Sequence, residues 1–541
     1  MSNTSDPVNV GSVNSGPADS GSVTSGPTAL SPNGNPSWSS LYAQRAEADY
    51  VAVVGDGFTW TYRELTAHGA NVAAWLNAIS APSNQPFAAV VSSTPFAFAL
   101  AIGAVGSHRP IAPIGARLTV AEVAATLRGF SPSMVVTEPE AETVVRAAAE
   151  PLGLRVEVHP SIDELSAHFD SARVAENPPR PLDFIANPSE YAAILHTSGT
   201  SGRPKPVPYP QGTLVDRTRV HGGLLGLGPG AIYAFASPFH HIAGLGAMFV
   251  ALGAGAAVCP VTRFTVDSWA DVISRGVTHA QLVPSMVEAL LDRNMLVRGD
   301  LRVLQYGASR IDPGTLRRFL EAVPGVDLVQ MYGQTEGSPI TVLSAQNHRR
   351  AAELPGGAVH LLSSAGCAVD GVTMTIHEPD ADGIGEVWAR GSHFMKPDAD
   401  GWLRTGDLGS IDSDGYLFLA GRKGDMIIRG GENVYPEEVE TVLRTHPGVA
   451  DVCVVGESDR RLGQIILAHI VPVDVANPPR AEELRIHTRA VLAGFKIPQR
   501  WEFRSVLPRN AAGKVLRRIL IEEALIEEAA NPEVNDAALS K

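Results

Sequence analysis

The chain has few cysteines and no surplus of basic residues. Its three cysteines among 541 residues stand far apart and form no CxxC pair. This argues against a disulfide scaffold or a zinc site and favours a reducing, cytoplasmic location. The formal net charge of -14 argues against a general affinity for nucleic acid. A phosphate-bearing ligand would therefore have to be held by local amides and a few placed cations.

Long apolar segments of the targeting and membrane-spanning kinds are also missing. The N-terminus has no basic region followed by an apolar stretch, so no signal peptide is predicted. The longest nearly uncharged stretch, 239–258, contains two histidines and four glycines, which favours buried packing over a membrane span. Residues 1–37 are loosely repeated Ser, Gly, Asn, Pro and Val and predict a disordered leader.

What remains is long enough for two or more domains. Apolar runs alternate with amphipathic segments, the pattern of α/β layers with mostly parallel sheets. Strands are predicted at 51–54, 58–60, 87–91, 134–136 and 192–196, and helices at 62–79, 96–105 and 142–149. Thr61 and Glu64 form a candidate capping box for the first of these helices.

The composition changes near Gly421, which divides the chain into a large domain over 38–421 and a small α+β domain over 422–530, followed by a tail over 531–541. In the small domain, strands are predicted at 452–455 and 465–471, and helices at 482–492 and 515–528. No internal repeat is visible.

A candidate phosphate-binding loop, TSGTSGRPK over 197–205, follows the apolar strand at 191–195. Glycines allow the backbone amides to turn toward an anion, and hydroxyl groups add donors. Because Lys205 is followed by Pro206, the loop is not a Walker A motif. Proline fixes φ and removes a donor, so a stiffer exit from the loop is expected. By itself such a loop is more typical of a surface connection.

Four further segments follow in a fixed order, and each has an ordinary reading as a turn, hairpin, charged loop or helix start. They are QMYGQTEGSP at 330–339, GWLRTGDLGSIDSDG at 401–415, GRKGDMIIRGGENVYPEEVE at 421–440 and LPRNAAGKVLRR at 507–518. With the loop, they closely resemble the adenylate-forming superfamily, in particular its acyl- and aryl-CoA synthetases, over about 38–528. The resemblance implies an α/β fold with a large N-terminal domain of stacked mixed sheets and a small mobile α+β C-terminal domain.

The resemblance also implies a chemistry and assigns residues to it. An acid would be activated by ATP to an acyl-AMP with release of pyrophosphate, and a thiol such as that of coenzyme A would then take the acyl group. The β- and γ-phosphates would be bound by the loop residues Thr197, Ser198, Gly199, Thr200, Ser201, Gly202 and Lys205. Glu336 and Thr197 would bind magnesium (Mg2+), and Thr335 would contact the α-phosphate. Tyr332 and the turn Gly307, Ala308, Ser309 would contact adenine. Asp407, with Arg422, would bind the ribose.

The resemblance makes three further assignments, and it implies that the small domain moves about a hinge just after Arg422. Lys514 would bridge the substrate carboxylate and the α-phosphate in the adenylating conformation. His241 would lie near the carboxylate and the thiol tunnel, although a buried core histidine is the ordinary alternative. Arg429, Gly430 and Gly431 would line the coenzyme A tunnel after rotation, which excludes water from a hydrolysable intermediate.

The acid and its acceptor are less determined. Expected pocket positions are small or apolar, which predicts a hydrophobic carboxylic acid; they are near Phe239, Gly244, Gly307, Met331 and Ile340. One alternative loads a carrier-protein thiol or hands acyl-AMP to a partner enzyme. A second is a nucleotide-binding protein without turnover, against which the intact Glu336, Asp407 and Lys514 argue. The sequence indicates no oligomeric state.

Overall fold

A computed structural model describes residues 36–169, 181–198, 204–296, 299–309, 311, 313–353, 358–395, 397–509 and 515–530. The predicted leader (all but its last two residues) and tail therefore lie outside the described residues. The same holds for Lys514 and for the centre of the predicted phosphate loop, which comprises Gly199, Thr200, Ser201 and Gly202.

The strands of the described chain are numbered in order. They are β1 Val51–Val54, β2 Thr59–Thr61, β3 Phe87–Val90, β4 Ile111–Ile114, β5 Val135–Thr137, β6 Val156–Val158, β7 Tyr191–Ser198, β8 Pro204–Pro210, β9 Ile232–Phe235, β10 Ala257–Pro260, β11 His279–Leu282, β12 Val303–Gly307, β13 Asp327–Gln334, β14 Gly337–Leu343, β15 Cys367–Ala368, β16 Thr373–His377, β17 Gly385–Arg390, β18 Leu403–Ile411, β19 Leu417–Arg422, β20 Ile427–Arg429, β21 Glu432–Val434, β22 Val449–Asp459, β23 Gly463–Pro472 and β24 Arg500–Phe503.

The α-helices are numbered in the same way. They are α1 Trp38–Ala43, α2 Tyr62–Ala78, α3 Pro95–Val105, α4 Val120–Phe130, α5 Glu142–Ala149, α6 Ile162–Phe169, α7 Gln211–Leu225, α8 Ala247–Ala254, α9 Val266–Ser274, α10 Pro284–Asp292, α11 Pro313–Ala322, α12 Ala345–Glu353, α13 Ala358–Ser363, α14 Pro436–Arg444, α15 Ala481–Arg489 and α16 Arg517–Ala530.

The chain divides into two compact units. The first comprises Met1–Met374 and Ala389–Leu403, and the second comprises Thr375–Trp388 and Arg404–Lys541. The first unit holds a nine-stranded sheet in the order β15-β14-β13-β12-β11-β9-β10-β1-β2 and a six-stranded sheet in the order β6-β5-β3-β4-β7-β8. Both sheets are parallel at their centres and carry antiparallel strands at an edge. This mixed α/β architecture confirms the predicted fold class.

One hydrophobic core joins the two sheets of the first unit. It combines Val53, Tyr233 and Val258 of the nine-stranded sheet with Phe87 and Ile111 of the six-stranded sheet. Helices α3 and α8 are buried along almost their whole length within this core, which explains why they are apolar on every side. The uncharged stretch at 239–258 supplies α8. Within the described part of the chain, no helix combines the length and apolarity that a membrane crossing requires.

Local sequence signals in this unit are confirmed. Thr61 caps α2 and forms a reciprocal capping box with Glu64. The predicted hairpin is the antiparallel pair β1 and β2, and the helix predicted at 142–149 is α5. Ser37, the last residue of the predicted leader, is buried and caps α1.

Strand β8, which the sequence analysis did not predict, leaves the phosphate loop. Every second residue of this strand is a proline: Pro204, Pro206, Pro208 and Pro210. Because alternate backbone N–H groups of a strand point to the same side, the other residues can still bond β7, and β8 is the outer strand of its sheet. The proline after Lys205 therefore continues a regular edge strand.

The second unit contains most of a four-stranded sheet, β16-β17-β18-β19, and a five-stranded sheet. In the latter, β22 and β23 form a long antiparallel hairpin that extends the strands predicted at 452–455 and 465–471. The helices predicted at 482–492 and 515–528 correspond to α15 and α16. The predicted hinge after Arg422 concerns a movement and stays a prediction.

Candidate functional site

Several predicted site residues of the first unit follow parallel strands of the nine-stranded sheet. Strands β9 to β13 are mutually parallel, and β9 and β11 are neighbours, but β9 connects to β10 on one side whereas β11 connects to β12 on the other. Such a switch point opens a crevice beyond the carboxyl ends of the strands, where open α/β sheets bind ligands. The segments that follow β9, β12 and β13 carry His241, Ala308 and Thr335, respectively.

Two hairpins from different sheets bring the predicted magnesium ligands into contact. Thr197 lies near the end of β7, opposite Lys205 on β8, and Glu336 lies at the tip between β13 and β14. The hydroxyl of Thr197 donates a hydrogen bond of 3.2 Å to Oε1 of Glu336. The structure thus joins two residues that are 139 positions apart.

The hairpin tip that carries Glu336 is held from two sides. The hydroxyl of Tyr209, a buried residue of β8, donates a hydrogen bond of 3.0 Å to the carbonyl oxygen of Thr335. The backbone N–H of Met395 bonds the carbonyl oxygen of Glu336 at 2.7 Å. Tyr209 was missed by the sequence analysis. The alternating burial along β8 is typical of a strand with one buried face, but its prolines made the strand hard to recognise in the sequence.

The turn after β12 begins where β12 packs closely against β13. Gly307 pairs with Met331 of β13, and a Cβ at Gly307 would lie 2.5 Å from the Met331 carbonyl oxygen. The next residue, Ala308, has a φ of 70°, a conformation that residues other than glycine seldom adopt and that clusters at functional sites. Ala308 and Ser309 are exposed at the sheet edge that also carries Tyr332.

His241 stands at the start of a short π-helix, Ile242–Gly246, that leads directly into α8. Single π-turns of this kind are frequent at functional sites. The rings of His240 and His241 lie 4.2 Å apart. Burial lowers the pKa of His241, and it lowers that of His240 to about 3, with His241 and His196 adding to the effect. Both imidazoles are therefore neutral at pH 7.

In the second unit, Asp407 and Arg422 are direct neighbours across β18 and β19. The Nε atom of Arg422 lies 2.8 Å from Oδ1 of Asp407, which is almost fully buried. Thr405 holds the backbone at Asp407 in place, because its hydroxyl donates to the carbonyl of Val387 and accepts a hydrogen bond from the N–H of Asp407. The two residues predicted to serve the ribose are thus held as one group.

Arg429, Gly430 and Gly431 form the end of β20 and the two-residue turn to β21. Both glycines have positive φ, at 61° and 89°, as a type I′ hairpin turn requires. The N–H of Gly430 bonds the carbonyl of Leu462, and Nη1 of Arg429 donates to the carbonyl of Phe495. The turn is therefore anchored to its own unit, and its predicted contact with coenzyme A stays a prediction.

The donor set fits a hard divalent cation. Thr197 and Glu336 offer a hydroxyl and a carboxylate, and magnesium prefers oxygen ligands, few of them from protein and the rest from phosphates and water. No group of three or more His, Cys, Asp or Glu in the described ranges could hold a metal. The site therefore suits an ion that arrives with a nucleotide, and it does not resemble a closed structural metal site.

Comparisons with known proteins identify the family. A sequence model described as AMP-binding enzyme matches residues 42–397, and one described as AMP-binding enzyme C-terminal domain matches residues 438–514.

Similar proteins include two curated ligases and one solved structure. The fatty acid–[acyl-carrier-protein] ligase ScoC of Streptomyces coeruleorubidus is 32% identical over 89% of this chain and 95% of its own. The 2-succinylbenzoate–CoA ligase of Bacillus pumilus is 29% identical over 91% and 99%. The o-succinylbenzoate CoA synthetase MenE of Bacillus subtilis, solved with the acyl-adenylate OSB-AMP, has a TM-score of 0.76 at 27% identity and covers 89% of this chain and 97% of its own.

Proposed function

The chain is a member of the AMP-binding enzyme family of adenylate-forming ligases, and on that premise we propose that it activates a hydrophobic carboxylic acid as its acyl-AMP and transfers the acyl group to coenzyme A. The observation that carries the proposal is the contact between Thr197 and Glu336. It joins the phosphate-loop hairpin to the β13–β14 hairpin at the edge where parallel strands end, and so places a hydroxyl and a carboxylate together for a nucleotide and its cation.

The reaction has two displacements. In the first, a carboxylate oxygen of the acid attacks the α-phosphorus of ATP, and the bond to pyrophosphate breaks. In the second, the sulfur of coenzyme A attacks the acyl carbon, loses its proton and expels AMP. Adenylation is required because a free carboxylate has no leaving group that a thiol could displace.

Residues of this chain support the first displacement by placing donors and charge where negative charge grows. Lys205 and the hydroxyl of Thr197 face the β- and γ-phosphates, and Thr335 contacts the α-phosphate. Lys514 bridges the reacting carboxylate and the α-phosphate. Each preorganised group of this kind can contribute about 10²–10³-fold to the rate. A magnesium ion held by Glu336 and Thr197 would supply additional positive charge at the phosphates.

Other residues of the chain match the chemistry of the nucleoside and acyl groups. Tyr332 and the turn at 307–309 offer a flat surface and open backbone for adenine. Asp407 accepts the ribose hydroxyls, because a carboxylate accepts two hydrogen bonds without donating one. Around the acyl group, the walls are apolar and buried, which supports a hydrophobic acid; they include Phe239, Leu245, Met331 and Ile340.

A carrier-protein thiol is the second candidate acceptor. The observation that favours it is the similarity to ScoC, whose name describes loading of an acyl carrier protein and which matches nearly the whole chain. The two acceptors share the adenylation step and differ only in what docks beside Arg429, Gly430 and Gly431.

Pyrophosphate release over a panel of carboxylic acids tests the proposal. We expect acid-dependent release without a thiol, and acyl-CoA formation when coenzyme A is added. A parallel reaction with a pantetheinylated carrier protein distinguishes the acceptors. Absence of acid-dependent pyrophosphate release over the whole panel would remove the adenylation proposal, and preferred turnover of acetate would remove the hydrophobic substrate.

A further inference from the structure

A charged side chain lies unpaired inside the first unit. Arg217, on α7, is 2% exposed, which makes it one of the largest fully buried side chains of the protein. Its Nε and Nη1 atoms are buried and have no hydrogen-bond partner among the described residues. Polar groups close to it do have hydrogen-bond partners. The hydroxyl of Tyr233, for example, donates to the side-chain oxygen of Gln305 at 2.8 Å.

This arrangement is unfavourable for a merely structural arginine. A guanidinium remains charged at any accessible pH, so it cannot escape burial by losing its proton. Burial lowers its pKa, whereas the hydroxyls of Tyr209 and Tyr233 raise it, that of Tyr209 also as a hydrogen-bond partner of the guanidinium. No carboxylate of the described residues forms an ion pair with Arg217 within salt-bridge distance. Buried charges are ordinarily paired, so an unpaired one indicates a partner that arrives from outside.

The guanidinium lies among the segments that build the candidate site. A Cβ added to Gly246, the last residue of the π-helix after His241, would be 3.7 Å from its Cζ and Nη2 atoms. The Tyr209 hydroxyl neighbours Arg217 and donates to the carbonyl of Thr335. Because Gly246 has no side chain, the guanidinium lies close to the backbone of the π-helix that follows His241.

We infer that Arg217 binds a second anionic oxygen group of the acid, so that the substrate class is an acid with an apolar body and a carboxylate or similar anion at its far end. This inference deepens the proposed function and rests on it. The unpartnered Nε and Nη1 atoms can each donate a charge-assisted hydrogen bond to an anionic oxygen, and such bonds are about twice as strong as neutral ones. The apolar walls hold the carbon chain, and the buried arginine selects its terminus.

Turnover of matched acids tests the inference. Pyrophosphate release is measured with straight-chain dicarboxylic acids of four to eight carbons and with monocarboxylic acids of the same lengths. Wild type is compared with Arg217→Met, which keeps the volume and removes the charge, and with Arg217→Lys. Arg219→Met is the matched control, because Arg219 is an exposed arginine on the same helix. Binding is followed separately as the shift of the thermal midpoint that each acid produces.

We expect the best dicarboxylic acid to be preferred over its monocarboxylic counterpart. Arg217→Met should lose on the order of 10- to 100-fold in kcat/KM for the diacid, the range for a hydrogen bond to a charged group, and should retain or improve the monoacid. Arg217→Lys should lie between, and Arg219→Met should match wild type. Because Arg217→Met removes an unpaired buried charge, its ligand-free thermal midpoint should equal or exceed that of wild type.

The outcomes separate the two proposals. Equal loss for all acids, or a lower ligand-free midpoint in Arg217→Met, would overturn the inference and make Arg217 a support for the Thr335 tip through Tyr209. A wild-type preference for monoacids would overturn it while leaving adenylation intact. If no acid releases pyrophosphate but diacids stabilise wild type and not Arg217→Met, the binding site stands and the proposed reaction fails. If no acid releases pyrophosphate and no acid stabilises the wild type, both the inference and the proposed reaction are overturned.

Discussion

Replacing Glu336 by glutamine separates the chemical role of this residue from its structural role. The amide oxygen of glutamine can still accept the hydrogen bond from the hydroxyl of Thr197, which spans 3.2 Å in the wild type. What disappears is the negative charge. A hydrogen bond to a charged group contributes about 1.5–3 kcal/mol and one to a neutral group about 0.5–1.5 kcal/mol, so the free energy of unfolding should fall by about 1 kcal/mol.

The loss in catalysis should be much larger. If Glu336 holds the cation that neutralises the phosphates during adenylation, removing its charge should cost about 3–4 kcal/mol in the transition state, or 10²–10³-fold in acid-dependent pyrophosphate release. The apparent affinity for magnesium should fall as well, because one of few protein ligands has lost its charge. Both quantities are obtained from initial rates at varied magnesium with saturating acid.

The controls are the thermal midpoint of the variant and substitutions that keep or remove the hydroxyl of Thr197. The thermal midpoint of Glu336→Gln should fall by less than about 4 °C. Thr197→Ser, which keeps the hydroxyl, should lose little activity, whereas Thr197→Val should lose much of it. Combined with Thr197→Val, the glutamine substitution should be non-additive, because the two side chains touch. Near-wild-type pyrophosphate release by Glu336→Gln, or an activity loss explained by unfolding, would refute the reasoning.

Three further predictions address other parts of the chain. Lys514→Ala should strongly reduce acyl-AMP formation but only weakly reduce thiolation of added acyl-AMP; equal losses in the two half-reactions would contradict its assigned role. Gly307→Ala places a methyl group 2.5 Å from the carbonyl of Met331, and should cost about 1–3 kcal/mol in chemical denaturation. Its control, Gly223→Ala, adds a methyl group to a helix with nothing within 4 Å and should not destabilise the protein. Burial, with the positive charge of Arg217 and the ring of His393 adding to it, lowers the pKa of His221 to about 3, although the hydrogen bond to Gln305 opposes the shift. Because the unfolded state then binds more protons, stability is complete above about pH 6.5 and falls as the pH drops toward 3. His221→Gln should remove about 2 kcal/mol of the loss between pH 7 and pH 5, and an unchanged pH dependence would refute this.

The elements that local patterns predicted have local causes. The capping box of Thr61 and Glu64, the hairpin of β1 and β2, and helix α5 each depend on a few neighbouring residues. Strand β8 was missed because its prolines argue against a strand until its position at a sheet edge is known. Its buried Tyr209, which supports the Thr335 carbonyl, was missed with it.

By itself, the sequence determined the chemistry. The residue types and order of its motifs resemble those of the adenylate-forming superfamily, and that resemblance implies a site for ATP, a cation and an acid. Only the tertiary structure decided which of these groups meet. Thr197 reaches Glu336 because two hairpins of different sheets converge, and sheet order is not written in either segment. Likewise, nothing around Arg217 in the sequence shows that it is buried without a partner. That follows from how α7 packs.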